Sequence, residues 1–218
     1  MPSPYKNAID DLLAAAEASI SNAADPIIAP LLAAYGYDGA RIAEGQALYD
    51  TALDTLARQR KEQGEENSAS ASFQAAREAA DTAYMRLVKV ARVALSRDAA
   101  ALQELGLVGP RKRTINGWVG QARQFYTALE RTPSHQAALT RYGITAARLA
   151  ADRASFEAML EAKNIYDRER GDSQDASEHR EVAFEALEDW MDEFIPIARV
   201  ALDEHPQLLE KLGVQVKG

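Results

Sequence analysis

The chain has 218 residues, 47 % of them hydrophobic, with a net charge of −8 at neutral pH and no cysteine. The hydrophobic share suffices for a core and excludes a disordered chain, while the missing cysteine excludes disulfides, thiolate metal sites and cysteine nucleophiles. Both halves are acidic, which disfavours general binding to the phosphate backbone of nucleic acid.

Alanine is abundant and β-branched residues are sparse, a composition that favours helix. No stretch alternates as a strand would. The opening MPSPYKNAIDDLL lacks a basic segment followed by an apolar one, so no signal peptide is expected. No apolar run approaches the ~20 residues needed to span a bilayer, and a cytoplasmic location is the expectation.

In chain order, Leu12, Leu13, Ala16 and Ile20 recur at helical spacing and predict a first helix from Tyr5 to Asn22. Asp25-Pro26 reads as an N-cap and first helical position, opening a short helix that stops at Gly36. Asp38 caps the next helix, with Tyr37 and Ile42 at hydrophobic-staple spacing. That helix carries Ile42, Tyr49, Leu53 and Leu56 on one stripe and is expected to end near Gly64. GEENSASAS then reads as a polar turn. A long helix follows with Phe73, Ala80, Tyr84, Leu87, Ala91 and Leu95 on one face. The chain turns at Asp98, and Gly106 fits a Schellman cap.

GPRKRT, residues 109–114, is the expected boundary between two halves. Beyond it Trp118, Ala122, Phe125, Tyr126 and Leu129 form one helical face. Thr132-Pro133, Gly143 and a Thr145 cap with an Ile144–Leu149 staple repeat the pattern of the first half. A stripe of Leu149, Phe156, Leu160 and Ile165 leads to an expected end near Gly171 and a polar turn, GDSQDASEH. The last long helix aligns Phe184, Leu187, Met191, Phe194, Ala198 and Leu202. Pro196 inside it is expected to remove one backbone hydrogen bond and kink it. His205-Pro206 starts a final turn closed by Gly213.

These parallels are one duplication. Residues 91–107, ARVALSRDAAALQELGL, return as 198–214, ARVALDEHPQLLEKLGV. A single ungapped offset places Pro26 on Pro133, Tyr35-Gly36 on Tyr142-Gly143, Arg41 on Arg148, Leu53 on Leu160, Gly64 on Gly171 and Arg92 on Arg199. About two dozen of roughly 85 aligned positions are identical, the mark of a repeated unit. The repeat is longer than the ~34–47 residues of tetratricopeptide or HEAT units. The expected fold is therefore all-α: an internally duplicated up-and-down helical bundle of two tandem copies, residues 1–109 and 110–218, with pseudo-twofold symmetry. The two copies can also pack as one domain.

Four features were weighed for chemistry. A carboxylate-bridged metal site in a bundle needs Glu-x-x-His motifs, yet the residues three before the histidines are Thr132, Ala176 and Leu202. Asp175 and His179 share a face, with Glu178 alongside, but Asp175 reads more simply as a cap; no metal ligand is assigned. Glu181, Glu185, Glu188 and Asp192 line one helix face and read as solvated. Arg41, Arg148, Arg92 and Arg199 keep their identity between copies and are structural ion-pair candidates, with Glu78 and Glu185 as partners alongside Asp81 and Glu188. Arg111-Lys112-Arg113, the one basic cluster, is weak evidence for phosphate binding and otherwise a solvated linker.

No phosphate-binding loop, GxGxxG, GxSxG or HExxH motif occurs, nor a basic recognition helix. No catalytic residue, ligand-binding residue or cofactor is assigned, and the pattern leans away from an enzyme. The expected function is a non-catalytic interaction or scaffold module that engages a protein partner or a second copy, with neither nucleic acid nor membrane as partner. The alternative is a ligand- or metal-binding bundle with a site in the cleft between repeats. It draws on Pro196, Trp118, Trp190 and His179, which only the second copy carries.

Overall fold

The computed structural model describes residues 4–214. Eight α-helices, and no strand among the described residues, make up the chain: α1 (Pro4–Ala23), α2 (Ile28–Ala33), α3 (Gly39–Ala94), α4 (Ala99–Glu104), α5 (Ile115–Arg131), α6 (Pro133–Thr140), α7 (Ala146–Ala201) and α8 (Pro206–Lys211). The all-α expectation holds. Among the described residues no helix is long and apolar enough to cross a membrane.

The main correction concerns the middle of each half. The stretches read as polar turns after Gly64 and Gly171 are helical, and α3 and α7 each run unbroken for 56 residues. Each half therefore holds one very long helix where two were expected. The physical reason lies in what a glycine must do to end a helix. Gly36, Gly106, Gly143 and Gly213 all adopt positive φ, between 65° and 89°, whereas Gly64 and Gly171 do not. A glycine left in helical conformation costs only about 1 kcal/mol relative to alanine. Helix-forming neighbours and no proline nearby outweigh that. α7 likewise continues as helix through Pro196 to Ala201.

These four glycines close genuine ends, and the fifth with positive φ, Gly109, lies in the loop after α4. Leu107 N–H donates to Leu102 O at 2.8 Å and Gly106 N–H to Gln103 O at 3.0 Å, the paired bonds of a Schellman cap. The same pattern joins Tyr37 to Leu32, Ile144 to Leu139 and Val214 to Leu209. Two of the expected N-caps are present, Asp38 accepting from Ala40 and Arg41 and Thr145 from Arg148, whereas α2 begins only at Ile28, beyond Asp25-Pro26, and Thr132 caps α6 without a side-chain bond. Asp98 and Thr114 cap as well, accepting from Ala101 and Gly117.

The chain forms two compact units. One is Met1–Gly64 with Gly171–Gly218, of which 4–64 and 171–214 are described; the other is Glu65–Arg170. Gly109 and Pro110, the expected boundary, lie inside the second unit, in the loop between α4 and α5. Each unit has its own core. In the first, Ala16 and Ile20 of α1, Ile28 and Leu32 of α2 and Ala52 and Leu56 of α3 meet Leu187, Trp190, Phe194 and Leu202 near the end of α7. In the second, Tyr84, Leu87 and Ala91 of α3 meet Trp118, Phe125, Tyr126 and Leu129 of α5 and Phe156 and Met159 of α7. Each fully buried large side chain contributes about 1.5–3 kcal/mol.

Within each unit the α3 and α7 segments run antiparallel. Arg41 reaches Glu193 while Gly45 faces Trp190 in the first; Phe73 stacks on Tyr166 while Arg86 pairs with Asp152 in the second. The first crossing is very close. A Cβ added to Gly45 would lie under 3.0 Å from three atoms of the Trp190 indole. That ring cannot retreat, because it stacks on Phe194 at 5.0 Å and meets Tyr37 edge-on at 5.8 Å. Gly45→Ala should therefore destabilise the protein by about 1–3 kcal/mol, despite alanine's better helix propensity. Gly171→Ala, where an added Cβ meets nothing within 4 Å, should stabilise it by about 0.5–1 kcal/mol. Urea denaturation of both variants checks the pair, and a stabilised Gly45→Ala would refute the close approach.

Helix ends are also tied by polar side chains. Ser19 Oγ donates to Leu212 O at 2.9 Å, holding α1 on α8, and Lys211 pairs with Asp25 at the entry to α2. In the other unit Glu104 of α4 accepts from Thr132 Oγ1 at 3.0 Å and meets His135 Nε2 at 3.0 Å. The His135 bond, then the Thr132 bond, hold the Glu104 carboxyl below its ordinary 4.5. A carboxylate with a lowered folded pKa contributes stability that is present above 4.5 and lost as the pH falls through the folded value. Acidification should weaken the wild-type protein in that range, and Glu104→Gln should lose less on acidification, as read from urea midpoints at neutral and acid pH.

Candidate anion site

The loop between α4 and α5 carries Pro110, Arg111, Lys112 and Arg113, and α5 fixes its course. Gln121 Nε2 donates to Gly106 O at 3.0 Å, and Gln121 Oε1 accepts from Lys112 N at 3.2 Å. One side chain thus holds both ends of the loop. Thr114 adopts extended backbone and caps α5, its Oγ1 accepting from Gly117 N at 3.2 Å and its carbonyl from Trp118 N at 2.9 Å. Gly117 lets the loop lie this close to the helix: a Cβ there would stand 2.9 Å from Thr114 Oγ1 and 3.1 Å from Lys112 Cβ. From α3, Asp81 pairs with Arg111.

The result is a cavity of about 480 Å³ lined by Arg77, Asp81, Pro110, Arg111, Lys112, Arg113 and Trp118. Four cations face one carboxylate in a chain whose net charge is −8. Arg111 uses that carboxylate; Arg77, Lys112 and Arg113 have no ion pair among the described residues. Trp118 is 3 % exposed, and its indole Nε1 is buried without a hydrogen-bond partner. The first turn of α5 contains no acidic residue. A helix N-terminus carries about half a positive charge and favours anions by about 0.3–1 kcal/mol. Thr114 already caps this end through Gly117 N and Trp118 N, and Arg111, Lys112 and Arg113 are solvent-exposed.

Below the cavity Tyr84 meets Trp118 edge-on at 6.2 Å. Burial pushes its phenol up to about 12, opposed by the charges of Arg111 and Arg92. The phenol therefore stays protonated through the neutral range, which suits binding better than proton transfer.

The other residues singled out in the sequence fall elsewhere. Arg41 pairs with Glu193 at 2.7 Å and Glu44 at 3.4 Å and sits 5.6 Å over the Tyr37 ring. Arg92 donates to Leu107 O at 3.4 Å. Arg148 and Arg199 are exposed, and neither forms an ion pair among the described residues; the same is true of Glu78 and Glu185. Asp175 and His179 are exposed and belong to no convergent group of metal-ligating side chains. Glu181, Glu185, Glu188 and Asp192 are exposed, as a solvated face requires. Trp118 and Trp190 lie in different cores. Arg77 was missed in the sequence. Its distance along the chain from Arg111-Lys112-Arg113 hid the association, which only the packing of α3 against this loop creates.

No protein family matches the chain, and neither the curated proteins nor the solved structures compared with it give a match.

If Lys112 and Arg113 are held against one another and a helix N-terminus without a counter-charge, neutralising them should help the empty protein. Lys112→Gln/Arg113→Gln should raise stability by about 0.5 kcal/mol at low ionic strength, and added salt should shrink the gain. Urea unfolding at two salt concentrations checks this; a destabilised double variant would mean that these cations have protein partners.

Proposed function

We propose that the chain is a non-catalytic binding protein produced by internal duplication, and that its Glu65–Arg170 unit takes an anionic ligand in the cavity before α5. The element bounds support duplication. Gly39–Ala94 and Ala146–Ala201 fall on one another under the offset that aligns the sequences, as do Ala99–Glu104 and Pro206–Lys211. On this reading the repeats are 1–109 and 110–218, and each compact unit combines the first part of one repeat with the last part of the other. The ligand reading rests on one observation above all: Arg77, Lys112 and Arg113, none of them in an ion pair among the described residues, line one cavity together with Arg111. The basic triplet has no counterpart in the first repeat, so the site belongs to one unit only.

A second reading, engagement of a protein partner or a second copy, draws support from apolar residues that are exposed in both repeats. Tyr35 and Tyr142 are identical under the offset and 52 % and 55 % exposed; Val93 and Val200 are identical and 59 % and 55 % exposed. Identity at solvent-facing apolar positions has no packing explanation.

The protein has two tryptophans, which supply a built-in control. Titrating inorganic pyrophosphate at low ionic strength should move the Trp118 indole N–H resonance and leave that of Trp190 in place, with Trp190→Phe giving the assignment. A Trp118 signal unmoved at millimolar pyrophosphate would sink the anion reading. Native mass spectrometry of the same sample reports self-association, and a strictly monomeric chain would remove the second copy as the partner.

A further inference from the structure

The cationic cavity does not end at Arg111. Arg77, Asp81 and Arg111 also line a second cavity of about 460 Å³, completed by Ser70, Phe73, Gln74, Glu78 and Tyr166. The two spaces adjoin, since they share these three side chains, and their far ends are unlike. At one end lie Lys112, Arg113 and the Trp118 indole. In the middle Asp81 and Glu78 place carboxylates among the arginines. At the other end Phe73 and Tyr166 stack with ring centroids 5.8 Å apart and 11° between planes. Both rings are half-buried, so the stack still offers aromatic surface to a third ring. Gln74 beside it spends one bond on Ser70 Oγ at 3.4 Å and otherwise presents both a donor and an acceptor.

A simple anion accounts for only the first of these three regions. The carboxylates repel phosphate but accept hydrogen bonds from hydroxyl groups, as acidic residues do with ribose. The aromatic stack takes a planar ring, and an amide side chain reads the edge of a base. Cavities of this size are typical of small-ligand sites. Resting on the anion reading above, we infer that the ligand is a nucleoside phosphate, its phosphates at Lys112 and Arg113, its sugar hydroxyls toward Asp81 and Glu78, and its base on the Phe73–Tyr166 stack.

The test compares inorganic pyrophosphate, adenosine and adenosine 5′-diphosphate on the full chain by calorimetry at one low ionic strength. The diphosphate should bind about tenfold more tightly than pyrophosphate, the gain expected of one base stacked on an aromatic side chain. Tyr166→Leu should abolish that difference while keeping pyrophosphate affinity, which also shows that the variant is folded. Lys112→Gln/Arg113→Gln should weaken both phosphates. On wild-type protein the adenine ring protons should shift upfield on binding, a readout that needs no variant. Equal affinity for pyrophosphate and the diphosphate, or unshifted adenine protons, would overturn the nucleoside assignment and leave the anion site standing. Binding of neither would overturn both.

Discussion

Antiparallel packing of α3 on α7 is the interaction on which the rest of the structure depends. A helix of 56 residues persists only where its apolar stripe is covered, because propensity alone contributes little per residue. Each long helix meets this condition twice, once in each core. Leu56 of α3 is buried with Leu187 and Phe194 of α7 in one unit, and Leu87 of α3 with Phe156 and Met159 of α7 in the other. The shorter helices close these pairs: α1, α2 and α8 in the first unit, α4, α5 and α6 in the second.

The two crossings are packed differently. At the first, Gly45 admits the Trp190 ring, which Phe194 and Tyr37 hold in place. Under the repeat offset Gly45 corresponds to Asp152 and Trp190 to Ala83. The second unit therefore replaces an aromatic contact with a polar one, where Arg86 pairs with Asp152 at 2.6 Å. Its aromatic mass comes instead from α5, whose Trp118, Phe125 and Tyr126 surround Tyr84. Trp118 thereby comes to lie at the edge of this core and beneath the basic loop, with its N–H unanswered.

Lys112 and Arg113 are solvent-exposed and form no ion pair among the described residues, and the loop that carries them is tied to α5 through Gln121, Gly117 and Thr114.

Much of this was legible in the sequence. Helical periodicity, the Asp38, Asp98, Thr114 and Thr145 caps and the four terminal glycines follow from local chemistry, since each depends on residues within about one turn. The core faces, from Tyr84 to Leu95 and from Phe184 to Leu202, follow from spacing alone. Gly64 and Gly171 misled because a glycine's letter does not reveal its φ, and among helix-forming neighbours both stay helical. The self-similarity of the two halves was visible, but not which segments share a core, because that depends on where two long helices meet rather than on order along the chain. The groove is a tertiary product for the same reason. Arg111-Lys112-Arg113 was visible as a basic cluster, but Arg77, Asp81, Phe73 and Tyr166 join it only through the packing of α3, α7 and the loop before α5.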